Sequence, residues 1–440
     1  MEARYATRKQ QLLEECQVAP AIFDQVLPRL ATFMAPFVET FCRQEPDQHA
    51  QTYVWGLLSD LARKNVESIA YRFGQDRLPL QRFIGWAPWD DAPLRQELTR
   101  QVAEQLGQAD GVLVFDPSGF PKSGPESVGV ARQWCGRLGK VDNCQVAVYM
   151  GYVSGAGHTL VDMRLYLPQA WTTDKARLDK AGVPDTHRGY RSRHQLALDM
   201  LQARGPQLPH GWIAGDDEMG RPYWFRRRLE RLGERYMLAV PGNTLIRDLT
   251  TAPPELSGRG RRPLRPWQRL DQWSTALPPD AWTPIDVRDG AKGPLVVESV
   301  KGPVVARTPQ RQEGHQEMAV VVRYRDRDQQ EVVQVDFYLT NGAAETSLAT
   351  FARVAKAEHR IEECLQRSKS EAGLADYEVR NWAGWHHHHT LSLIATWFLV
   401  TETQRGKKIN PSDDITSDSR RHRVDLAPRV SVRDAVASAA

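Results

Sequence analysis

Apolar positions recur at helical spacing through roughly the first 105 residues. Ala21, Ile22, Phe23, Val26 and Leu27 open the series, Val54, Trp55, Leu57, Leu58 and Leu61 continue it, and Leu94 and Leu98 resume it after the turn around Pro88. This predicts a helical N-terminal region over 1–105. Near residue 111 the pattern changes. Gly111-Val112-Leu113-Val114-Phe115-Asp116 is an apolar run ending on a carboxylate, followed at once by Pro117-Ser118-Gly119. Trp212-Ile213-Ala214-Gly215-Asp216-Asp217 repeats the form. Each predicts a buried strand that stops on aspartate. Runs at 144–153 and 158–167, joined across Ser154-Gly155-Ala156-Gly157, predict a hairpin. Residues 193–204 and 222–233 predict amphipathic helices, and 236–240 a further strand. The reading for 106–240 is α/β, a mixed sheet flanked by helices with the two aspartate-ended strands as parallel neighbours.

Residues 241–346 break that rhythm. Proline, glycine and arginine crowd 252–266, Trp267, Trp273 and Trp282 follow, and strand-like runs occupy 294–307, 318–323 and 332–340. A β-rich insertion is expected there. Helix resumes at about 347 and carries Glu362, and a last helix is expected at 385–402, so 347–405 reads as a C-terminal helical part of the same unit. The polar stretch 406–440 reads as a flexible tail.

Composition changes this picture little. Of 440 residues, 41% are hydrophobic and 25% charged, ordinary for a chain that buries a core. The net charge of +4, from 58 Lys+Arg against 54 Asp+Glu, is too small to name a partner. Five cysteines without a C-x-x-C pair argue against a disulfide framework or a cysteine zinc site and suit a reducing compartment. The first residues lack the apolar core of a signal peptide. The 391–400 run is shorter than the roughly 20 residues that span a bilayer. The expectation is a cytoplasmic protein without a membrane partner.

The chemistry lies in the acids. Aspartate is depleted from strands, and a buried carboxylate needs a partner or a metal. With Glu362 as a third acid, Asp116 and Asp216 would suit two-metal phosphoryl transfer, with Mg²⁺ held by hard oxygen ligands. The alternative, that strand-end aspartates only form turns or cap helices, stays open on this pattern alone. Ser118 lacks the G-x-S-x-G setting of a nucleophile, and neither it nor Cys135 has an evident His–Asp pair. His386 to His389, consecutive on one helix, point in four directions, so at most two could share an ion.

Longer blocks say more. Asp116-Pro117-Ser118-Gly119-Phe120-Pro121-Lys122-Ser123-Gly124 leads into the run from Ser127 to Lys140, which contains Val130-Ala131-Arg132-Gln133-Trp134-Cys135, and then Asp142-Asn143-Cys144. Gly215-Asp216-Asp217-Glu218-Met219-Gly220 precedes Ala239-Val240-Pro241-Gly242-Asn243-Thr244. Arg360-Ile361-Glu362-Glu363-Cys364 precedes Lys369, Gly373-Leu374 and Tyr377-Glu378-Val379-Arg380. These blocks resemble the catalytic blocks of DDE-superfamily transposases of bacterial insertion sequences, across about 80–405. The resemblance implies a ribonuclease H-like catalytic fold with a β-strand insertion, and cut-and-paste DNA transposition with Mg²⁺, Mn²⁺ substituting. It implies that Asp116, Asp216 and Glu362 are catalytic and ligate metal. Asp217 stands beside Asp216 as an alternative, and Glu362 is preferred to Glu363.

The wider signature runs Tyr, two residues, Arg, three residues, Glu, six residues, Lys. Lys369 fits it as a phosphate contact, whereas Glu358 stands in the Arg place and Ala355 in the Tyr place. Arg360, Lys356 and Arg353 are the cations that could compensate. Further candidate DNA contacts are Lys122, Arg132, Arg226 and the cations Arg259, Arg261, Arg262, Arg265 and Arg269. The resemblance implies that an aromatic residue of the insertion stacks on a flipped base, with Trp282 chosen over Trp267 and Trp273; the alternative for each tryptophan, that it packs the insertion's own small core, is the more common role. The N-terminal helices, with Arg63, Lys64, Tyr71, Arg72, Phe73, Arg77, Arg82 and Phe83, are expected to bind DNA, and the last-helix histidines to line that helix with some near DNA. The implied partners are double-stranded DNA, at element ends and target, and a second copy of the chain on DNA, in the bacterial nucleoid. The rivals are a ribonuclease H-like nuclease that does not join, and a non-catalytic DNA-binding descendant.

Overall fold

The computed structural model describes residues 25–41, 44–255, 263–290, 293–325 and 331–409. Arg259, Arg261, Arg262, the first 24 residues and the tail from 410 lie outside the described residues. The N-terminal region is helical as expected: α1 (Val26–Val38), α2 (Gln44–Leu58), α3 (Val66–Arg72), α4 (Arg77–Gly85) and α5 (Ala92–Leu106). Asn65 and Asp76 cap α3 and α4, accepting hydrogen bonds from the Ser68 and Leu78 amides. The apolar stripe of these helices (Leu30, Met34, Phe37, Leu57, Leu98, Val102) joins one continuous core with Leu113, Val114 and Tyr149 of the sheet and with Ile394 and Trp397 near the chain's end.

The sheet begins with β1 (Val112–Pro121), β2 (Ala131–Cys135), β3 (Lys140–Ser154) and β4 (Gly157–Leu165), followed by β5 (Trp212–Gly215) and β6 (Tyr236–Ala239). β3 and β4 form the expected hairpin. β1 is antiparallel to β3 and parallel to β5, so the two aspartate-bearing strands are neighbours. β6 is parallel to β5. One expectation needs correction: β1 does not stop on Asp116 but continues to Pro121. The reason lies in its two neighbours. β5 ends at Gly215, opposite Phe115, whereas β3 accompanies β1 to its last residue. Beyond Phe115 one edge of β1 is open, which is where a strand tolerates a proline such as Pro117.

The predicted strands of 241–346 also pair. β7 (Leu245–Asp248), β8 (Gln268–Arg269), β9 (Thr283–Gly290), β10 (Gly293–Arg307), β11 (Glu313–Arg325) and β12 (Val332–Thr340) continue the same sheet, because β12 lies antiparallel to β6 with Tyr338 opposite Ala239. A second apolar cluster (Ile246, Leu270, Trp273, Trp282, Val304, Val321) fills this half.

Helices α6 (Arg193–Arg204) and α7 (Tyr223–Arg231) flank the sheet, and α8 (Leu348–Glu371) crosses β1, β4 and β5. α8 sits close because β3 carries Gly151, where a Cβ would overlap Ile361. The last helix, α9 (Trp382–Ile409), is longer at both ends than the sequence pattern predicted. Its four histidines are buried rather than near a surface that could meet DNA. His387 lies between the Ile84 and Trp89 carbonyls at 2.9 and 3.0 Å, and His388 Nδ1 is 2.8 Å from the Tyr53 hydroxyl, so they tie α9 to the N-terminal helices. Lys64 and Phe83, grouped with the surface cations in the sequence reading, are likewise buried. Among the described residues no helix is long and apolar enough to cross a membrane.

Candidate active site

Asp116 lies on β1 one residue beyond the end of β5, and Asp216 is the first residue after β5, so the open sheet edge brings both to one place. Gly215 permits the tight exit, since a Cβ there would stand 3.0 Å from the Phe115 carbonyl and 2.9 Å from the Met219 Cβ. Asp216 then caps the turn Asp217–Gly220, its Oδ1 accepting the Met219 amide at 3.0 Å. Asp217 is exposed and faces Arg221 at 2.6 Å, so Asp216 is the acid turned toward Asp116.

The acids oppose one another. Burial, then the charges of Asp216, Glu362 and Glu218, push the Asp116 carboxyl up to about 8 against the pull of Lys369. Burial, with Glu218 and Asp217, pushes Asp216 up to about 7 despite the Met219 amide. Glu358 is held well above the usual carboxylate range by burial and by Asp216, Asp116, Asp336 and Glu362. Glu358, Glu362 and Lys369 fall within about 40° of one another around a helix turning 100° per residue, so one face of α8 presents two carboxylates and an ammonium to the aspartates. Glu362 is the outer of the two, its side chain 60% exposed and 3.8 Å from His359.

Lys369 reaches back to β1 and donates to Ser118 Oγ at 2.6 Å. Ser118 is two residues beyond Asp116 and so shares its face of the strand. That spacing could have marked Ser118 in the sequence as a positioning group, a role it was not given. Glu218, gripped by Arg193 at 2.7 Å, was missed as well; its position in Asp216-Asp217-Glu218 was the available signal.

The remaining candidates scatter. Arg132 is exposed on β2. Arg360 faces Glu363 at 3.9 Å. Three of the expected DNA contacts have protein partners in the fold. Arg226 is buried on the inner face of α7, donating to Glu317 at 2.8 Å and to the Gly220 carbonyl, because the amphipathic helix turns Arg228 and Arg231 outward instead. Lys122 folds over the Tyr377 ring at 3.4 Å, and burial lowers its ammonium to about 8 despite Glu378. Trp282 is 9% exposed in the second apolar cluster, with the Arg323 guanidinium 3.8 Å over its ring. Trp273 is buried too, its indole N–H donating to Asp248.

An all-oxygen donor set whose members suppress each other's ionisation has the chemistry to take a hard divalent cation. Among the described residues no three acidic, histidine or cysteine side chains converge on a single point as a closed metal cage. Asp116 and Asp216 would hold an ion from the sheet, and the exposed Glu362 would supply a ligand from α8.

A consequence for stability has a definite sign. A carboxyl that ionises near 3.8 when unfolded but near 7 to 8 when folded binds its proton more tightly in the fold. Its contribution is full below the unfolded pKa and is lost as pH rises through the folded one. Without divalent ions, thermal stability is therefore expected to fall from pH 5 to pH 8. Glu358→Gln, which removes one of the opposed charges, is expected to raise Tm by a few degrees at pH 8 and leave it nearly unchanged at pH 5, as read by calorimetry in EDTA.

Two likenesses to known proteins accompany this geometry. The sequence pattern of the family described as DDE superfamily endonuclease matches residues 36–294, more than half of the chain. That stretch contains Asp116 and Asp216 and ends before α8. A protein of Microchaete diplosiphon, described as a probable transposase for insertion sequence element IS701, is 35% identical over 132 residues. The match covers 28% of this chain and 35% of that protein.

Proposed function

The chain belongs to the DDE superfamily endonuclease family, and on that premise we propose that it is an insertion-sequence transposase, cutting DNA at the ends of a mobile element and joining those ends to target DNA. The observation that carries this reading is the mutual electrostatic opposition of Asp116, Asp216, Glu358 and Glu362 around the open edge of β1, with Lys369 beside them. The likeness to the IS701 protein supports transposition rather than cutting alone. The strand order β4-β3-β1-β5-β6, with β1, β5 and β6 parallel, supports a ribonuclease H-like core.

In this reading Asp116, Asp216 and Glu362 hold divalent metal, Mg²⁺ with Mn²⁺ substituting. When bound, such ions polarise a phosphoryl oxygen and lower the pKa of coordinated water. Asp116 and Asp216 fix the position of the scissile phosphate from the rigid sheet. Lys369, steadied by Ser118, contacts a phosphate oxygen, and Arg360 and Arg132 hold the flanking backbone. The N-terminal helices and the strands of 241–346 extend the surface along the duplex, and two copies act on two ends, in the nucleoid.

The test uses the flanks of the element that encodes the chain. A plasmid carrying those flanks as inverted ends is incubated with the protein and Mg²⁺, and excised and joined products are separated by electrophoresis. Joined products with a short target duplication are expected. Cleavage without joining would replace the proposal with a non-joining nuclease, and neither product would remove it.

A further inference from the structure

The β2–β3 hairpin, at an edge of the sheet, turns large apolar groups outward. Along β2, Arg132 and Trp134 are exposed while Cys135 is buried. Trp134 is 55% exposed, and its cross-strand neighbour Val141 is 53% exposed. Leu138 in the intervening turn is 41% exposed, next to the exposed Arg137. Lys140 is turned to Asp142 at 3.0 Å, and Arg132, which also acts on Asp142, and Arg137 are the exposed arginines two residues before and three residues after Trp134.

This patch adjoins the candidate active site. Gly119, three residues beyond Asp116, lies against Cys135, where a Cβ would be 3.1 Å from its sulfur. Burial lowers the pKa of the Lys369 ammonium, Asp116 opposes this, and Arg137 adds to the lowering, so the turn stands within electrostatic reach of the acids. On the other side, Gln133 accepts from Arg193, the residue that grips Glu218.

A flat exposed aromatic with cations on either side is the composition that holds unpaired nucleotides, the ring stacking on a base and the cations tracking phosphates. Trp86, also exposed, has a different setting: its neighbours Arg77 and Lys180 are matched by Glu67 and Glu126 at 3.1 and 2.6 Å. The insertion tryptophans Trp273 and Trp282 are buried. We propose that the β2–β3 hairpin holds an unpaired nucleotide of the DNA strand entering the carboxylate cluster, with Trp134 stacked on the base and Arg132 and Arg137 on adjacent phosphates. This rests on the reading of the chain as a DNA-cutting enzyme.

The test compares full-length wild type, Trp134→Ala and Trp134→Phe, in Ca²⁺ without Mg²⁺. The probes are a blunt duplex and a duplex with a short unpaired end carrying 2-aminopurine. Wild type is expected to prefer the unpaired end and quench its fluorescence. Trp134→Ala should weaken that binding by roughly 5- to 150-fold, the span of one base–aromatic stack, with blunt-duplex binding and Tm unchanged, and Trp134→Phe should restore most of it. Wild-type-like binding of both probes by Trp134→Ala would overturn the proposal. So would a changed oligomeric state by light scattering with unchanged binding, which would make the patch a contact between copies. Failure of the wild type to bind either probe would instead overturn the DNA reading on which it rests.

Discussion

Asp116→Asn should lose the cleavage activity of the plasmid assay by at least roughly 10²–10³-fold, the scale of removing one group that stabilises charge in a transition state. The expectation follows from position. Asp116 is fixed by β3 along the whole of β1, so no other residue can move into its place. Its carboxylate is the point on which Asp216, Glu362, Glu218 and Lys369 all act. Asparagine keeps the shape and removes the charge that would hold a cation. The same change relieves the mutual repulsion, so in metal-free buffer at pH 8 the variant should melt above the wild type. Lost activity with raised stability separates a catalytic role from a merely structural one.

The second large effect is on stability alone. Asp162 is fully buried on β4 and accepts from Arg95 at 2.6 Å, Arg164 at 2.7 Å and Arg204 at 3.3 Å. Arg95 belongs to α5 and Arg204 to α6, so one carboxylate ties helices from two parts of the chain to the sheet. Asp162→Ala removes the one carboxylate shared by Arg95, Arg164 and Arg204, leaving Arg95 with Asp91 and Arg204 with only the neutral Gln96 amide oxygen, and should cost about 3–5 kcal/mol, read as a lower urea midpoint at unchanged slope. Burial alone would raise the Asp162 pKa, but the three arginines outweigh it and hold the carboxyl well below the usual carboxylate range. Its stabilisation is therefore present above the ordinary carboxylate pKa and lost as pH falls through the folded one, opposite in sign to the Asp116 cluster. The wild type should lose stability at both extremes, and Asp162→Ala should lose much of the acid side.

What the sequence revealed, and what it did not, divides along physical lines. The apolar runs around Val114 and Ile213 marked buried strands, and the parallel pairing of β1 with β5 followed from their shared ending. Helical spacing placed Glu362 and Lys369 on one face of α8, and the structure adds Glu358 to that face. The helix period had implied this, but a family signature expecting a cation there drew attention to its charge rather than to what it faces. Where a strand ends depends on its partners, so the continuation of β1 to Pro121 was not readable from β1 itself. Arg226 and Lys122 look like surface cations in a sequence because their partners, Glu317 and Tyr377, lie 91 and 255 residues away. Trp282 was chosen for base stacking by analogy, whereas the long-range packing of β9 to β12 gives it the core-filling role that was the alternative. The outward Trp134 was hidden for the converse reason, since a five-residue edge strand has too few positions for its alternation to stand out.

The central claim, that Asp116 and Asp216 form a divalent-cation site, is tested most directly by titrating the protein with Mn²⁺ and following the free ion by electron paramagnetic resonance. Saturable binding is predicted for the wild type and for Asp217→Asn, with affinity reduced at least tenfold in Asp116→Asn and in Asp216→Asn. Undiminished Mn²⁺ binding in either of those two variants would contradict it.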